Sequence, residues 1–255
     1  MLNIVIPMAG AGSRFAREGY SDPKPLIPVR GAPMIQRVVE NLSPTEEHRF
    51  VFVCQRDHAE RYDLSSVLGS IAPGCVIVQL DGLTGGAAET VLAAREHIDT
   101  DEPLMIANSD QYVDVDIDEY LAASQARALD GLIMTMTADD PKWSFVGLTR
   151  AGLVSRVVEK EVISDEATVG IYNFRAGRDF VRAADAMIAA DLRSNGEFYV
   201  APAYNLLIEE GYRVGVFNIG AEADGMYGLG TPSDLELFLT LDISNTLREG
   251  GHGGH

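Results

Sequence analysis

The chain has 255 residues, 46% of them hydrophobic, enough for one large α/β domain with its own core and more than a disulfide-stapled module needs. Lysines and arginines number 20 against 38 acids, and the formal charge of −18 repels nucleic-acid backbones and anionic lipid, so small molecules are the expected partners. No stretch approaches the roughly 20 apolar residues of a bilayer span, and Met1-Leu2-Asn3-Ile4 lacks the basic region and long apolar run of a signal peptide, which together predict a cytoplasmic protein.

Asn3-Ile4-Val5-Ile6 is a short β-prone run opening into Ala9-Gly10-Ala11-Gly12-Ser13-Arg14, the pattern of a strand followed by a phosphate-type loop. Further buried strands are predicted over Arg49 to Cys54, Val76 to Leu80, Pro103 to Ala107, Gly131 to Thr137 and Val169 to Phe174. Helices are predicted over Pro33 to Leu42, Ala87 to His97, Ile117 to Ala128, Arg178 to Ala190 and Val200 to Glu210. The alternation up to about residue 130 implies βαβ units: a mostly parallel, Rossmann-like sheet with helices on both faces. Phe145 to Thr149 and Val154 to Lys160, joined by Arg150-Ala151-Gly152, predict an antiparallel extension of that sheet. No linker or repeat interrupts the chain, so one α/β domain is expected over residues 1–245, followed by a flexible tail at 246–255. Cys54 and Cys75 lie in apolar runs without metal-ligand spacing and are expected to be buried thiols.

Gly10 and Gly12 permit positive φ and close approach of backbone N–H groups to an anion, while Ser13 adds a hydroxyl and Arg14 a guanidinium fork. Downstream, Lys24 stands between Pro23 and Pro25, whose restricted backbone fixes where the ammonium points. In a chain this acidic, such gathered cations mark a site for a phosphorylated ligand.

Ile6-Pro7-Met8-Ala9-Gly10-Ala11-Gly12-Ser13-Arg14 with Lys24-Pro25-Leu26 resembles the G-x-G-S/T-R and K-P signature of the sugar-phosphate nucleotidyltransferases, pyrophosphorylases with a GT-A-like fold. Leu83-Thr84-Gly85-Gly86-Ala87-Ala88 resembles their base-recognising turn, Asn108-Ser109-Asp110 their strand-end metal aspartate and Val158-Glu159-Lys160 their E-K pair. Gly170-Ile171-Tyr172-Asn173-Phe174, Gly196-Glu197-Phe198 and Gly228-Leu229-Gly230-Thr231-Pro232 are similar to their substrate-side and closing segments, so the resemblance spans residues 1 to about 240. It implies transfer of a nucleoside monophosphate from an NTP to a phosphorylated acceptor with release of pyrophosphate. By that implication Arg14 holds the β- and γ-phosphates, helped by the N–H groups of Ala11, Gly12 and Ser13. Lys24 bridges the α-phosphate and the incoming oxygen, Lys160 orients the acceptor phosphate, and Asp110 offers a hard oxygen to Mg²⁺. The alternative reading of Asp110, apart from the resemblance, is a helix N-cap. A second metal aspartate expected before the closing G-T is missing; Glu222 and Asp224 are the nearby acids, and Asp224 also reads as a solvated loop residue.

Asp81 falls near the position of a base-reading side chain; a carboxylate accepts from cytosine N4 and opposes uracil O4, which favours CTP, although Asp81-Gly82 is also a common turn dipeptide. Met105 to Tyr112, Asp140 to Phe145, Val157 to Val162 and Gly196 to Pro202 resemble the branch of the family linked to capsule and surface-polysaccharide synthesis. That branch includes cytidylyltransferases acting on small phosphorylated acceptors such as phosphoglutamine. Glu159, Asn173, Glu197, Lys142 and Trp143 are then acceptor-binding candidates, with Trp143 also reading as core. Two other functions compete. A family 2 glycosyltransferase would need a D-x-D metal motif, which Asp110-Gln111-Tyr112 breaks and Asp114-Val115-Asp116 meets only ahead of a helical pattern. A nucleotide-binding regulator without turnover would account for the missing aspartate. A homo-oligomer is compatible with the sequence, but helix Arg178 to Ala190 reads as core rather than interface.

Overall fold

The computed structural model describes residues 1–10 and 12–247. The cradle residue Ala11 and the tail from residue 248 onward, which carries nearly all of the predicted flexible segment, lie outside the described residues.

In chain order the strands are β1 (Leu2–Pro7), β2 (Pro28–Val29), β3 (Ala32–Pro33), β4 (His48–Gln55), β5 (Val76–Leu80), β6 (Leu104–Ala107) and β7 (Gln111–Val113). They continue with β8 (Gly131–Thr137), β9 (Ser144–Leu148), β10 (Val154–Glu159), β11 (Glu166–Phe174), β12 (Val214–Glu222) and β13 (Gly225–Gly228). The helices are α1 (Ser13–Arg17), α2 (Met34–Leu42), α3 (Arg56–Arg61), α4 (Leu64–Ile71), α5 (Ala87–Leu92), α6 (Arg95–Ile98), α7 (Ile117–Ala126), α8 (Gly177–Ala189), α9 (Ala203–Glu209) and α10 (Pro232–Thr240). The main sheet runs β5-β4-β1-β6-β11-β8-β12-β13-β7. Pairs β5/β4, β4/β1, β1/β6, β8/β12 and β12/β13 are parallel, while β11 runs antiparallel between β6 and β8.

The predicted strand cores all form. The predicted antiparallel extension is the β9/β10 hairpin, which joins the sheet where Phe145 pairs with Ala167 of β11. One predicted helix is broken: Ala87 to His97 divides into α5 and α6, because the hydrogen bonds tighten to three-residue spacing where Ala94 N–H reaches Val91 O and His97 N–H reaches Ala94 O, both at 2.9 Å.

Burial on both faces explains the uninterrupted apolar strands. Ile4 and Ile6 of β1 join Phe52, Ile35 and Val38 on one face, whereas Val5 joins Val51, Val53, Ile106 and Phe180 on the other. A third cluster unites Phe15 of α1, Ile27, Val29 and Met34 with Tyr227, Leu229, Leu235 and Phe238 near the far end of the chain. This cluster matters for function, since it fixes the loop after β1 and the Lys24 segment against β13 and α10. Arg37, only 1% exposed, reinforces the same region from α2: its guanidinium donates to Val29 O at 3.0 Å, Arg30 O at 2.7 Å and Glu40 Oε2 at 2.9 Å. Arg37→Met leaves two carbonyls without those donors, and urea denaturation is expected to show a loss of about 2–4 kcal/mol.

Candidate active site

The site lies along the carboxyl ends of the parallel strands, where open α/β sheets place ligands. Beyond β1, Met8 N–H bonds Val53 O at 2.8 Å, and Gln55 Nε2 ties Ala9 O (2.8 Å) to Gly82 O (3.1 Å), drawing the first Gly-rich loop toward the turn after β5. A cavity of about 410 Å³ opens between them, lined by Ala9, Gly10, the turn Leu83–Ala87, Gly196 and Glu197 among others. Six of the predicted residues, Ala9, Gly10, Thr84, Gly85, Gly86 and Glu197, therefore meet around one space. Gly12, with φ +59°, caps α1, and a Cβ built there stands 3.8 Å from the Lys24 backbone nitrogen, so the loop passes close to that lysine. Ser13 and Arg14 are exposed on α1, anchored by the buried Phe15 between them and the third cluster.

Gly86 is required by contact. A Cβ at this residue would stand 2.4 Å from Phe198 O, and the two segments are laced by Phe198 N–H to Gly85 O (2.9 Å) and Ala88 N–H to Phe198 O (3.0 Å). Thr84 Oγ1 bonds Gly86 O at 3.0 Å and Thr90 Oγ1 at 2.6 Å, which holds the turn closed from within.

Asp110 occupies the turn between β6 and β7, behind Asn108 and the buried Ser109. Asn108 N–H bonds Gly170 O at 3.0 Å, and Gly170 is required there twice over, by its φ of +81° and by the Asn108 amide, which fills the space a Cβ would need. Leu229 N–H donates to Asp110 O at 2.8 Å. A strand follows Asp110, not a helix, so its N-cap reading fails. Its carboxylate Oδ2 accepts from Lys24 Nζ at 2.7 Å, both side chains being 25% exposed. A Cβ on Gly230 would stand 2.6 Å from the same oxygen, so glycine preserves the room around it. This single, partly open carboxylate suits Mg²⁺, which binds through one or two carboxylates with phosphate and water completing its shell.

Glu159 ends β10 and lines a separate cavity with Val157, Met187 and Asn205, and Lys160 follows it. Glu159 Oε2 accepts from Ser144 Oγ at 2.5 Å, while its buried Oε1 has no hydrogen-bond partner. Burial pushes the Glu159 carboxyl above its usual value, opposed by Ser144 and by the charge of Lys160. Lys160 leaves β10 with φ +57°, and its ammonium stands 5.9 Å from the centre of the Tyr199 ring. Burial, together with the Glu197 and Glu159 carboxylates, raises the Tyr199 hydroxyl. Tyr199 thus links Lys160 to the Glu197 edge of the cavity; nothing in its local pattern distinguished it from core.

Five further predicted residues lie elsewhere or are already engaged. Asp81 is 80% exposed, does not line the cavity and holds Arg56 Nε at 2.5 Å; that hydrogen bond keeps its carboxyl below the usual range. Asn173 sits toward the opposite end of the strands, because β11 runs antiparallel to β6 and carries the chain from Gly170 back to pair Asn173 with Met105; there it faces a separate cavity near Leu2 and Pro103. Lys142 Nζ is bonded to both Glu222 oxygens, at 2.8 and 3.0 Å, with its ammonium 4.8 Å from the Trp143 ring centre. Trp143 itself packs against the core, as its alternative reading predicted, with Nε1 unpartnered. Asp224 is also displaced: β13 places Gly228 opposite Gln111, beside Asp110, so Asp224 lies four residues away, roughly 13 Å along the strand. Among the described residues no group of three or more histidine, cysteine or acidic side chains converges as a metal site.

A Rossmann-like sheet whose first Gly-rich loop and second Gly-rich turn enclose one cavity, with the Lys24–Asp110 pair beside Gly12 of that loop, is an arrangement of the nucleotidyltransferase class. Residues 4–168 match the model of the MobA-like NTP transferase domain, and the chain belongs to that family. It is 30% identical over 223 residues to the bifunctional protein GlmU of Leifsonia xyli, covering 84% of this chain and 44% of that protein. The GlmU of Enterococcus faecalis is 25% identical over 240 residues, covering 88% and 48%. The chain thus spans about half the length of these relatives. Its fold superimposes on a nucleoside-diphosphate-sugar pyrophosphorylase from Vibrio cholerae with a TM-score of 0.77 at 26% identity, covering 93% of this chain and 100% of that one. A UDP-glucose pyrophosphorylase from Acinetobacter baumannii shares the fold at a TM-score of 0.73 and 16% identity, covering 94% and 92%.

Because the Glu159 carboxyl is raised in the folded state, its ionised form opposes folding as pH climbs past the ordinary glutamate value. Glu159→Gln is therefore expected to melt at a higher temperature than the unchanged protein near pH 7. The difference should close as pH falls below about 4, where the carboxyl becomes neutral in the unfolded as well as the folded state, and scanning calorimetry across that window checks it.

Proposed function

We propose that this chain catalyses Mg²⁺-dependent transfer of a nucleoside monophosphate from an NTP to a phosphorylated small-molecule acceptor, with release of pyrophosphate. The observation that carries this reading is the Lys24–Asp110 contact standing beside a Gly-rich loop whose start lines the same cavity as Gly85, Gly86 and Glu197. An oxygen of the acceptor phosphate attacks the α-phosphorus in line, the bond from that phosphorus to the bridging oxygen breaks, and its electron pair leaves with pyrophosphate. No covalent intermediate is needed, so positioning and charge neutralisation supply the acceleration.

Arg14 and the N–H groups of Gly12 and Ser13 hold the β- and γ-phosphates, with Ala11 assigned to the same cradle from its place in the motif. Lys24 neutralises the α-phosphate as charge develops. Asp110 holds Mg²⁺, which when bound offsets phosphate charge as a Lewis acid. Lys160, steadied over Tyr199, receives the acceptor phosphate, and Glu159 and Glu197 accept hydrogen bonds from acceptor hydroxyl or amine groups. Leu83 to Gly86 form the base-reading turn, with Asn108 and Ser109 supporting the ribose side. Pairing of Asp81 with Arg56 removes the carboxylate argument for cytosine, so CTP preference rests on the resemblance to the capsule-linked cytidylyltransferases, as does a role in surface-polysaccharide precursor synthesis.

The glycosyltransferase alternative loses its motif here. Asp116 caps α7, accepting from Asp118 N–H at 2.9 Å, and that is ordinary N-cap work.

A matrix of four NTPs against phosphorylated sugars, polyols and amino-acid derivatives, scored by pyrophosphate release in Mg²⁺, tests the proposal. Turnover with CTP and one acceptor class is expected; consumption of a nucleotide-sugar instead, or NTP binding with no turnover on any acceptor, rejects it. Lys24→Ala should lower kcat by roughly a thousandfold or more with the circular dichroism spectrum intact, and near-normal activity would remove the lysine from the mechanism.

A further inference from the structure

We propose that Lys24 and Asp110 form a coincidence gate, admitting the triphosphate and its divalent cation together and disfavouring either alone. The inference rests on the nucleotidyl-transfer reading above and concerns the site before substrate arrives.

In that state the two groups meant for different ligands hold each other, Nζ to Oδ2 at 2.7 Å. Both are fixed from their own sides of the cleft. Lys24 opens a single 3₁₀ turn behind Pro23, closed by Leu26 N–H to Pro23 O at 2.8 Å, and Asp110 is pinned through its carbonyl by Leu229 N–H. Each is the other's sole ion-pair partner among the described residues. A cation arriving alone at Asp110 displaces the ammonium and leaves two positive charges side by side. A triphosphate arriving without its cation draws Lys24 away and leaves the Asp110 carboxylate facing phosphate oxygens. Like charges at such range in a partly desolvated cleft oppose binding in both cases. The metal–nucleotide complex gives Asp110 a cation and Lys24 an anion in the same event, so both sides of the broken contact are replaced. Gly230 beside Asp110 leaves space for this exchange, since a Cβ there would crowd Oδ2 at 2.6 Å.

The consequence is positive coupling between cation and nucleotide that resides in the protein's own charges. Titration calorimetry of the full chain with each of the four NTPs, in EDTA and in Mg²⁺, and electron paramagnetic resonance with Mn²⁺ alone read it without turnover. The best-bound NTP is expected to bind about 30-fold tighter with Mg²⁺, and Mn²⁺ alone to show no binding at millimolar concentration. Asp110→Asn should bind the same NTP in EDTA roughly 10-fold tighter than the unchanged protein and lose the Mg²⁺ enhancement. Lys24→Met should gain Mn²⁺ binding in the absence of nucleotide. Equal NTP affinity with and without Mg²⁺ in the unchanged chain overturns the gate while nucleotidyl transfer stands, a result that needs no variant to fold. Unimproved EDTA affinity in a folded Asp110→Asn also overturns it. Absence of NTP binding in Mg²⁺ overturns the gate and the functional reading beneath it.

Discussion

An ammonium and a carboxylate from residues 86 positions apart meet at 2.7 Å, and the architecture around them serves to hold that meeting in place. Asp110 stands where β6 ends, so its position depends on the parallel register of β6 against β1 and on the antiparallel β11 that supplies Gly170. Lys24 lies in the connection from α1 to β2, a stretch with little regular structure of its own. It is held by Phe15, Ile27 and Val29 packing beneath it and by Arg37 bonding the carbonyls that follow. Burial of apolar surface thereby becomes control over where one charge sits.

The distribution of charge follows the same logic. A formal charge of −18 would repel a triphosphate, and many of the cations are neutralised locally. Arg56 with Asp81, Arg95 with Asp185, Lys142 with Glu222 and Arg182 with Glu210 are such pairs on the surface. Exposed pairs of this kind contribute little to stability. Their effect here is to leave few cations able to compete for an anionic ligand.

Much of this was legible in the residues themselves. Apolar runs such as Val76–Leu80 and Gly131–Thr137 became strands with the predicted bounds, the second buried inside the sheet and the first half-buried at its edge. The Gly-rich loop, Lys24, Asp110 and the Gly85-Gly86 turn were visible because backbone geometry and phosphate chemistry restrict those positions to few residue types. Less visible were β12 and β13: Val214–Glu222 contains two glycines and an asparagine and alternates weakly between buried and exposed. Helices α3 and α4 are short and lack a long amphipathic repeat. Site assignments failed where strand direction decided them. Asn173 is three residues beyond Gly170, but on an antiparallel strand those steps lead away from the cleft, and Asp224 is lost in the same way along β13. Asp81 was misplaced because a guanidinium 25 residues away claims it, a pairing that no local pattern encodes.

The third hydrophobic cluster has a bearing on how the protein is made. Phe15, Ile27 and Met34 are synthesised about 200 residues ahead of Leu235 and Phe238, which lie near the end of the described residues. A polypeptide emerging from the ribosome can therefore build most of its sheet before the support beneath its phosphate loop exists. Docking of α10 is then the event that turns a folded scaffold into a competent one, and incomplete chains are left without a finished cleft.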